Sequence, residues 1–202
     1  MKENQAVDSA VTSLDILLKG TFDIVMVGSY LNALPSAARV AQVRALTRPA
    51  QAALYEAAKG ARKLTLEQLV PTAVPDMTDV VHQGKNSLRA FNQFARVFCR
   101  PKRDAKQLWG YNRAGKLVIK VVGPGYCTAY EGPGDEVIVD YARLPEGKPE
   151  SWPEIIPNQA RLGRFVYANS IDALRAVSSH VTVGRSIRNN QVMDNWFVLC
   201  RE

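Results

Sequence analysis

Cys127 or Cys200 together with His180 could supply a thiol and a base, the least that nucleophilic catalysis needs, if folding brought them within hydrogen-bond reach. Nothing in their spacing does so, and a free cysteine is most often a small buried hydrophobe. Asp135 and Glu136, with Asp140 on the next strand, can be drawn as a paired acid and base. Acidic turn residues serve solubility equally well. Asp194 lies in an otherwise apolar strand, and the simpler reading is an ion pair across a hairpin to Arg185 or Arg188. His82 and His180 are too few for a three-histidine site, so no metal is expected. Val122-Gly123-Pro124-Gly125-Tyr126 suggests a phosphate-cradling loop, but Pro124 removes a donor and a strand rather than a helix should follow. It reads as a turn.

Two groupings remain. From Arg89 to Lys116 there are eight basic residues against one acid, Asp104, an excess equal to the whole chain's net charge of +7. Arg96, Arg100, Lys102, Arg103, Lys106 and Arg113, interleaved with Trp109 and Tyr111, combine cations for phosphate with faces for stacking, the ingredients of nucleic-acid or anionic-surface binding. No RNA or DNA module pattern accompanies them. The second grouping is aromatic: Phe91, Phe98, Tyr126, Tyr130, Tyr141, Phe165 and Trp196 would line an apolar cavity if a helix covered a curved sheet.

The elements that must position these residues change period along the chain. Val7 to Lys19 has helical spacing closed by Gly20, and Phe22 to Val27 is open between strand and helix. Ser36 to Lys59 favours helix and is broken at Pro49, predicting helices at 36–45 and 49–59. Thr65-Leu66-Glu67-Gln68 fits a capping box, so a short helix should start at Thr65 and stop before Pro71. The Pro71 to Gly84 stretch reads as the crossing between a mainly helical region, 1–84, and the rest, 85–202. Leu88, Phe91, Phe94 or Ala95, and Phe98 recur every three or four residues, which predicts an amphipathic helix over Ser87 to Cys99.

Beyond it the spacing becomes pleat-like. Strands are expected at 117–122, 126–130, 137–141 and 162–167, a long loop at 144–157, and a short helix at 171–177. A last hairpin should pair 180–187 with 192–200 around Asn189-Asn190. The expectation is a single α+β domain, with N-terminal helices packed on one face of a C-terminal antiparallel sheet of about six strands, open or barrel-like.

The longest mostly apolar stretch, Phe22 to Leu34, falls short of the roughly 20 residues that span a bilayer, and Met1 to Asp8 lacks the apolar core of a secretory signal. Three widely spaced cysteines suit free thiols in a reducing compartment, so a cytoplasmic protein is expected. No family is recognised in these residues. Lacking a catalytic or nucleotide motif, the chain reads as a non-catalytic binder of a small apolar or aromatic ligand, held without a cofactor between sheet and helices. The alternatives are an anionic partner on 89–116, or an enzyme of unfamiliar type.

Overall fold

The computed structural model describes residues 13–88, 92–102 and 106–202. Its helices are α1 (Leu14–Leu17), α2 (Ile24–Ala33), α3 (Ser36–Ala45), α4 (Arg48–Ala57) and α5 (Leu66–Leu69), with α6 (Lys116–Val121) later in the chain. Asp23 caps α2 by accepting from the Val25 amide, and Thr47 caps α4 ahead of Pro49 in its first turn. Pro49 therefore starts a helix as well as ending the previous one. Thr65 precedes α5 as expected, but its side chain makes no cap hydrogen bond.

Among the described residues eight strands follow: β1 (Val80–Asn86), β2 (Gln93–Cys99), β3 (Leu108–Arg113), β4 (Cys127–Glu131), β5 (Val137–Asp140), β6 (Ser170–Ala176), β7 (Val181–Arg188) and β8 (Gln191–Arg201). Each pairs antiparallel with the next, and β8 returns to β1, so the α+β fold contains a closed barrel. Closure removes every sheet edge. We call the end where β1, β3, β5 and β7 finish the mouth, and the opposite end the base.

Alternation sorts the side chains. Val80, Phe98, Leu108, Ala129, Val137, Leu174 and Leu199 fill the lower barrel, and Leu64, Leu66, Leu69 and Val70 around α5 close the base over them. Phenylalanine rings in this interior lie against glycines on neighbouring strands: Phe94 opposite Gly84, Phe98 opposite Gly110, and Phe197 opposite Gly184. A Cβ on Gly184 would fall 2.3 Å from the Phe197 ring, so the absent side chain is the space the ring occupies.

Two clusters cover the outside. Leu14, Val27, Leu31, Val43 and Leu54 from the helices pack on Val181, Val183, Val198 and Cys200. On the β2–β3 side, the long β5–β6 connection lays Trp152 over Val97, Cys99, Tyr111 and Tyr126.

Several expectations fail here. The amphipathic helix expected over 87–99 is instead strand β2 from Gln93 on: Phe94, Arg96 and Phe98 point into the barrel, while Ala95, Val97 and Cys99 point outward, Val97 and Cys99 beneath the Trp152 cover. A strand buried on both faces shows no polar alternation. The predicted 171–177 helix is β6, and the predicted 162–167 strand is a 3-10 turn, Arg161–Phe165. The 117–122 strand is α6: β3 pairs directly with β4, so the closed sheet leaves this segment no edge to join. β1 begins at Val80, inside the stretch read as a crossing segment. Most of the predicted 7–19 helix lies outside the described residues, α1 being the described part.

Candidate functional site: a polar mouth above an apolar barrel

The inward positions change character towards the mouth. β2 contributes Arg96, β3 Asn112, β6 Asp172 and β7 Ser186, each directly across a strand pair from another inward residue, and Tyr141 enters just past β5. Arg96 and Asp172 form an ion pair at 2.9 Å, with side chains 3% and 5% exposed. The Arg96 Nε donates to Asn112 Oδ1 at 3.2 Å, and its Nη2 also donates to the Tyr141 hydroxyl. Tyr141 accepts a second bond from Asn112 Nδ2 at 3.3 Å and donates its own proton to Asp172 Oδ2 at 3.3 Å. Ser186 donates to the other Asp172 oxygen at 2.7 Å.

Aromatic faces enclose the cation. The Arg96 guanidinium carbon lies 5.1 Å from the Phe197 ring centre, 5.7 Å from Tyr141 and 5.9 Å from Phe94, and Tyr167 stacks on Tyr141 at 5.3 Å. Burial works against the Arg96 charge, but Tyr141 and Asp172 outweigh it and hold the group above its ordinary range. Burial, more than any neighbour, raises the Tyr141 phenol well above its usual value, so it remains a donor. One donor is left over: Arg96 Nη1 is buried and has no hydrogen-bond partner among the described residues. Buried donors are seldom left so, because an unpaired one forfeits its hydration without return.

Near Arg96 on the adjacent strand, His82 Nε2 donates to the Leu69 carbonyl oxygen at 3.0 Å, joining the barrel wall to the base. Burial pushes this imidazole from 6.5 down to about 3, so it is neutral in the fold. The unfolded chain then binds the extra proton between those values, and stability must fall as pH drops below about 6.5. His82 alone should account for a loss of about 2 kcal/mol between about pH 7.5 and pH 5. Urea unfolding at both pH values checks this, with His82→Gln expected to flatten the difference by that amount.

The nominated aromatic residues are dispersed. Phe98 is in the barrel base and Tyr141 at the mouth network. Tyr126 anchors the Trp152 cover, its hydroxyl donating to the Pro153 carbonyl. Trp196 lies on the outer wall between the guanidinium groups of Arg48 and Arg185. Phe165 is exposed on the 3-10 turn, and Phe91 lies outside the described residues. Tyr130, against Arg143, lines an open cleft of 580 Å³ with Lys106 and two glutamates, Glu67 and Glu131.

The basic segment is scattered as well. Arg96 is interior. Arg100 is fastened to the carbonyl oxygens of Val70, Pro71 and Val74, and Arg113 pairs with Asp79 at 3.2 Å. Lys102 and Lys106 are exposed, and Arg103 lies outside the described residues. The charge run does not single out Arg96, because Lys102, Lys106, Arg113 and Lys116 in the same run lie at the surface. The detectable signal was a cation between two phenylalanines at alternate positions, Phe94 and Phe98.

The other chemical candidates resolve differently. Asp194 pairs with Arg48, not with Arg185 or Arg188; Arg185 reaches Glu56, and Arg188 bonds the carbonyl oxygens of Arg164 and Phe165. Glu136 pairs with Arg175 at 2.7 Å and Asp140 with Arg143 at 3.1 Å. Burial raises the thiols to about 12 at Cys99 and Cys127 and about 11 at Cys200, leaving them protonated and weakly nucleophilic at neutral pH. Gly123 and Gly125 have positive φ, and a Cβ on Gly125 would meet the Tyr167 ring at 2.6 Å, so this loop is a turn packed under the mouth. Among the described residues no His, Cys, Asp and Glu cluster is arranged to hold a metal ion, and no helix is long and apolar enough to cross a membrane. No protein-family model, curated protein or solved structure matches the chain.

Proposed function

We propose that this barrel is a non-catalytic binding module for a small ligand with an apolar or aromatic body and one anionic or carbonyl head. The head would sit on Arg96 Nη1 and the body against Phe94, Phe197 and Tyr167 at the mouth. The observation that carries this reading is the buried guanidinium nitrogen without an acceptor, enclosed by aromatic faces in a closed barrel. We put the site at the mouth rather than between sheet and helices because Leu14, Val27, Leu31 and Leu54 pack directly on Val181, Val183 and Val198 in that interface. The residues above Arg96, among them Asn86, Phe94, Tyr167 and Asn195, are only half-buried, so a ligand has somewhere to enter.

A probe with the required chemistry is 8-anilinonaphthalene-1-sulfonate, an aromatic body with an anionic head that brightens on leaving water, with laurate as competitor. Saturable fluorescence that laurate displaces is expected. It should weaken at least about tenfold in Arg96→Met/Asp172→Leu, a loss of about 1.4 kcal/mol or more. No saturable binding to the native chain, or equal binding to the double variant, would end this reading.

A further inference from the structure

We infer that the mouth end docks on the surface of an anionic phospholipid bilayer. The inference is independent of the ligand proposed above, because it concerns the outer rim rather than the barrel interior.

Three segments at the mouth end form the surface in question: α6 with its flanks, the 3-10 turn, and the β7–β8 tip. They are tied into one surface. Arg161 Nη1 donates to the Ile119 carbonyl oxygen at 3.1 Å, and a Cβ on Gly163 would lie 2.6 Å from the Val122 oxygen, so the 3-10 turn rests on the end of α6. The Arg188 guanidinium donates to the carbonyl oxygens of Phe165 and Arg164 at 2.7 and 2.8 Å, and the Asn189 amide to Asn169 at 3.0 Å, which joins the tip to the turn.

This surface is apolar where a soluble protein is ordinarily polar. Leu117, Val121, Leu162, Phe165, Val166 and Val192 are all exposed, Leu117 by 73% and Phe165 by 61%. Leu117 and Val121 are four residues apart on α6, hence on one face, and α6 has no buried residue at all. Exposed apolar side chains gathered on segments tied to one another mark an interaction site.

Charge selects the occupant. Residues 113–126, 158–170 and 186–193 contain Arg113, Lys116, Lys120, Arg161, Arg164 and Arg188 and no Asp or Glu; the next residue, Asp194, is paired with Arg48. Within these stretches only Arg113 has a carboxylate partner among the described residues, Asp79. Cations around protruding aliphatic side chains match a bilayer whose headgroups are anionic and whose acyl boundary takes up Leu, Val and Phe. Nucleic acid suits the cations but not the rest, since stacking needs aromatic faces and Phe165 is the sole aromatic among the six. A second copy docking rim to rim would bring like charges together.

Co-sedimentation of the full chain with vesicles tests this. Binding is expected to vesicles of equimolar phosphatidylglycerol and phosphatidylcholine and not to phosphatidylcholine alone, and to weaken with added salt. Each cation near such a surface strengthens binding roughly fivefold. Lys120→Glu/Arg164→Glu should therefore release the chain by more than about tenfold, and Leu117→Glu/Phe165→Glu comparably. All four positions face solvent, so circular dichroism and melting temperature should not change. The inference is overturned by no binding to anionic vesicles at low salt, or by binding that survives Leu117→Glu/Phe165→Glu. Tighter binding to a single-stranded oligonucleotide than to vesicles, or self-association abolished by those substitutions, would likewise overturn it.

Discussion

Arg96→Met alone should cost about 3–5 kcal/mol of folding stability, and Arg96→Met combined with Asp172→Leu should recover most of it. The single change leaves Asp172 in the barrel with hydrogen bonds from Tyr141 and Ser186 but without its counter-charge. Taking a carboxylate out of water costs several kcal/mol, and a guanidinium at 2.9 Å offsets that where two hydroxyl donors do not. Methionine matches the arginine stem in volume and can still pack on Phe94 and Phe197, so cavity formation contributes little to the loss. The double variant removes both desolvation costs at once and places aliphatic atoms beside those rings. Urea unfolding of the native chain, both single variants and the double variant gives the coupling energy directly. Additive losses would mean that Arg96 and Asp172 contribute separately, through packing, and that the ion pair does not organise the mouth.

Much of the helical half and several strands are legible in the residues themselves. Helices α3 and α4, the β4 and β5 strands, the long loop after Leu144 and the last hairpin were legible, because each carries its own signal: alanine-rich spacing, Pro49, β-branched runs between glycine turns, and Asn189-Asn190. β2 and β6 were not. In β2 the inward side is Phe94, Arg96 and Phe98 and the outward side is Ala95, Val97 and Cys99, so apolar residues occupy both faces and three-residue recurrences arise by coincidence. In β6, Ala173, Leu174, Arg175 and Ala176 are good helix formers overruled by pairing on both sides to β5 and β7. The mouth network was invisible for a related reason. Arg96, Asn112, Tyr141, Asp172 and Ser186 come from five different elements, and only closure of the barrel makes them neighbours. Phe98 and Tyr141, expected to line one apolar cavity, are both buried but lie apart: the Phe98 ring fills the lower barrel, and Tyr141 belongs to the polar network at the mouth.

Phe98→Ala follows from that last point and should be the most costly single truncation in the lower barrel, at about 3–5 kcal/mol. The ring is fully buried, meets His82 edge-on at 5.4 Å, and occupies the space opposite Gly110, whose missing Cβ would lie 2.7 Å from it. The wall cannot collapse into the gap: β1, β2 and β3 are held in register on both sides, and the base is fixed by the His82 bond to Leu69. A void therefore remains, lined by Leu108, Cys127 and Leu199 among others, and apolar enough to stay dry. Gly110 supplies the internal control. Gly110→Ala in the native chain drives a methyl group into the Phe98 ring and should cost about 1–3 kcal/mol, whereas in the Phe98→Ala background the same methyl enters the void and should restore stability. A reversal of sign between the two backgrounds, measured by chemical unfolding, is the expected result. If Phe98→Ala cost under about 1 kcal/mol, or Gly110→Ala were equally harmful in both backgrounds, the ring would not be what fills the base of the barrel.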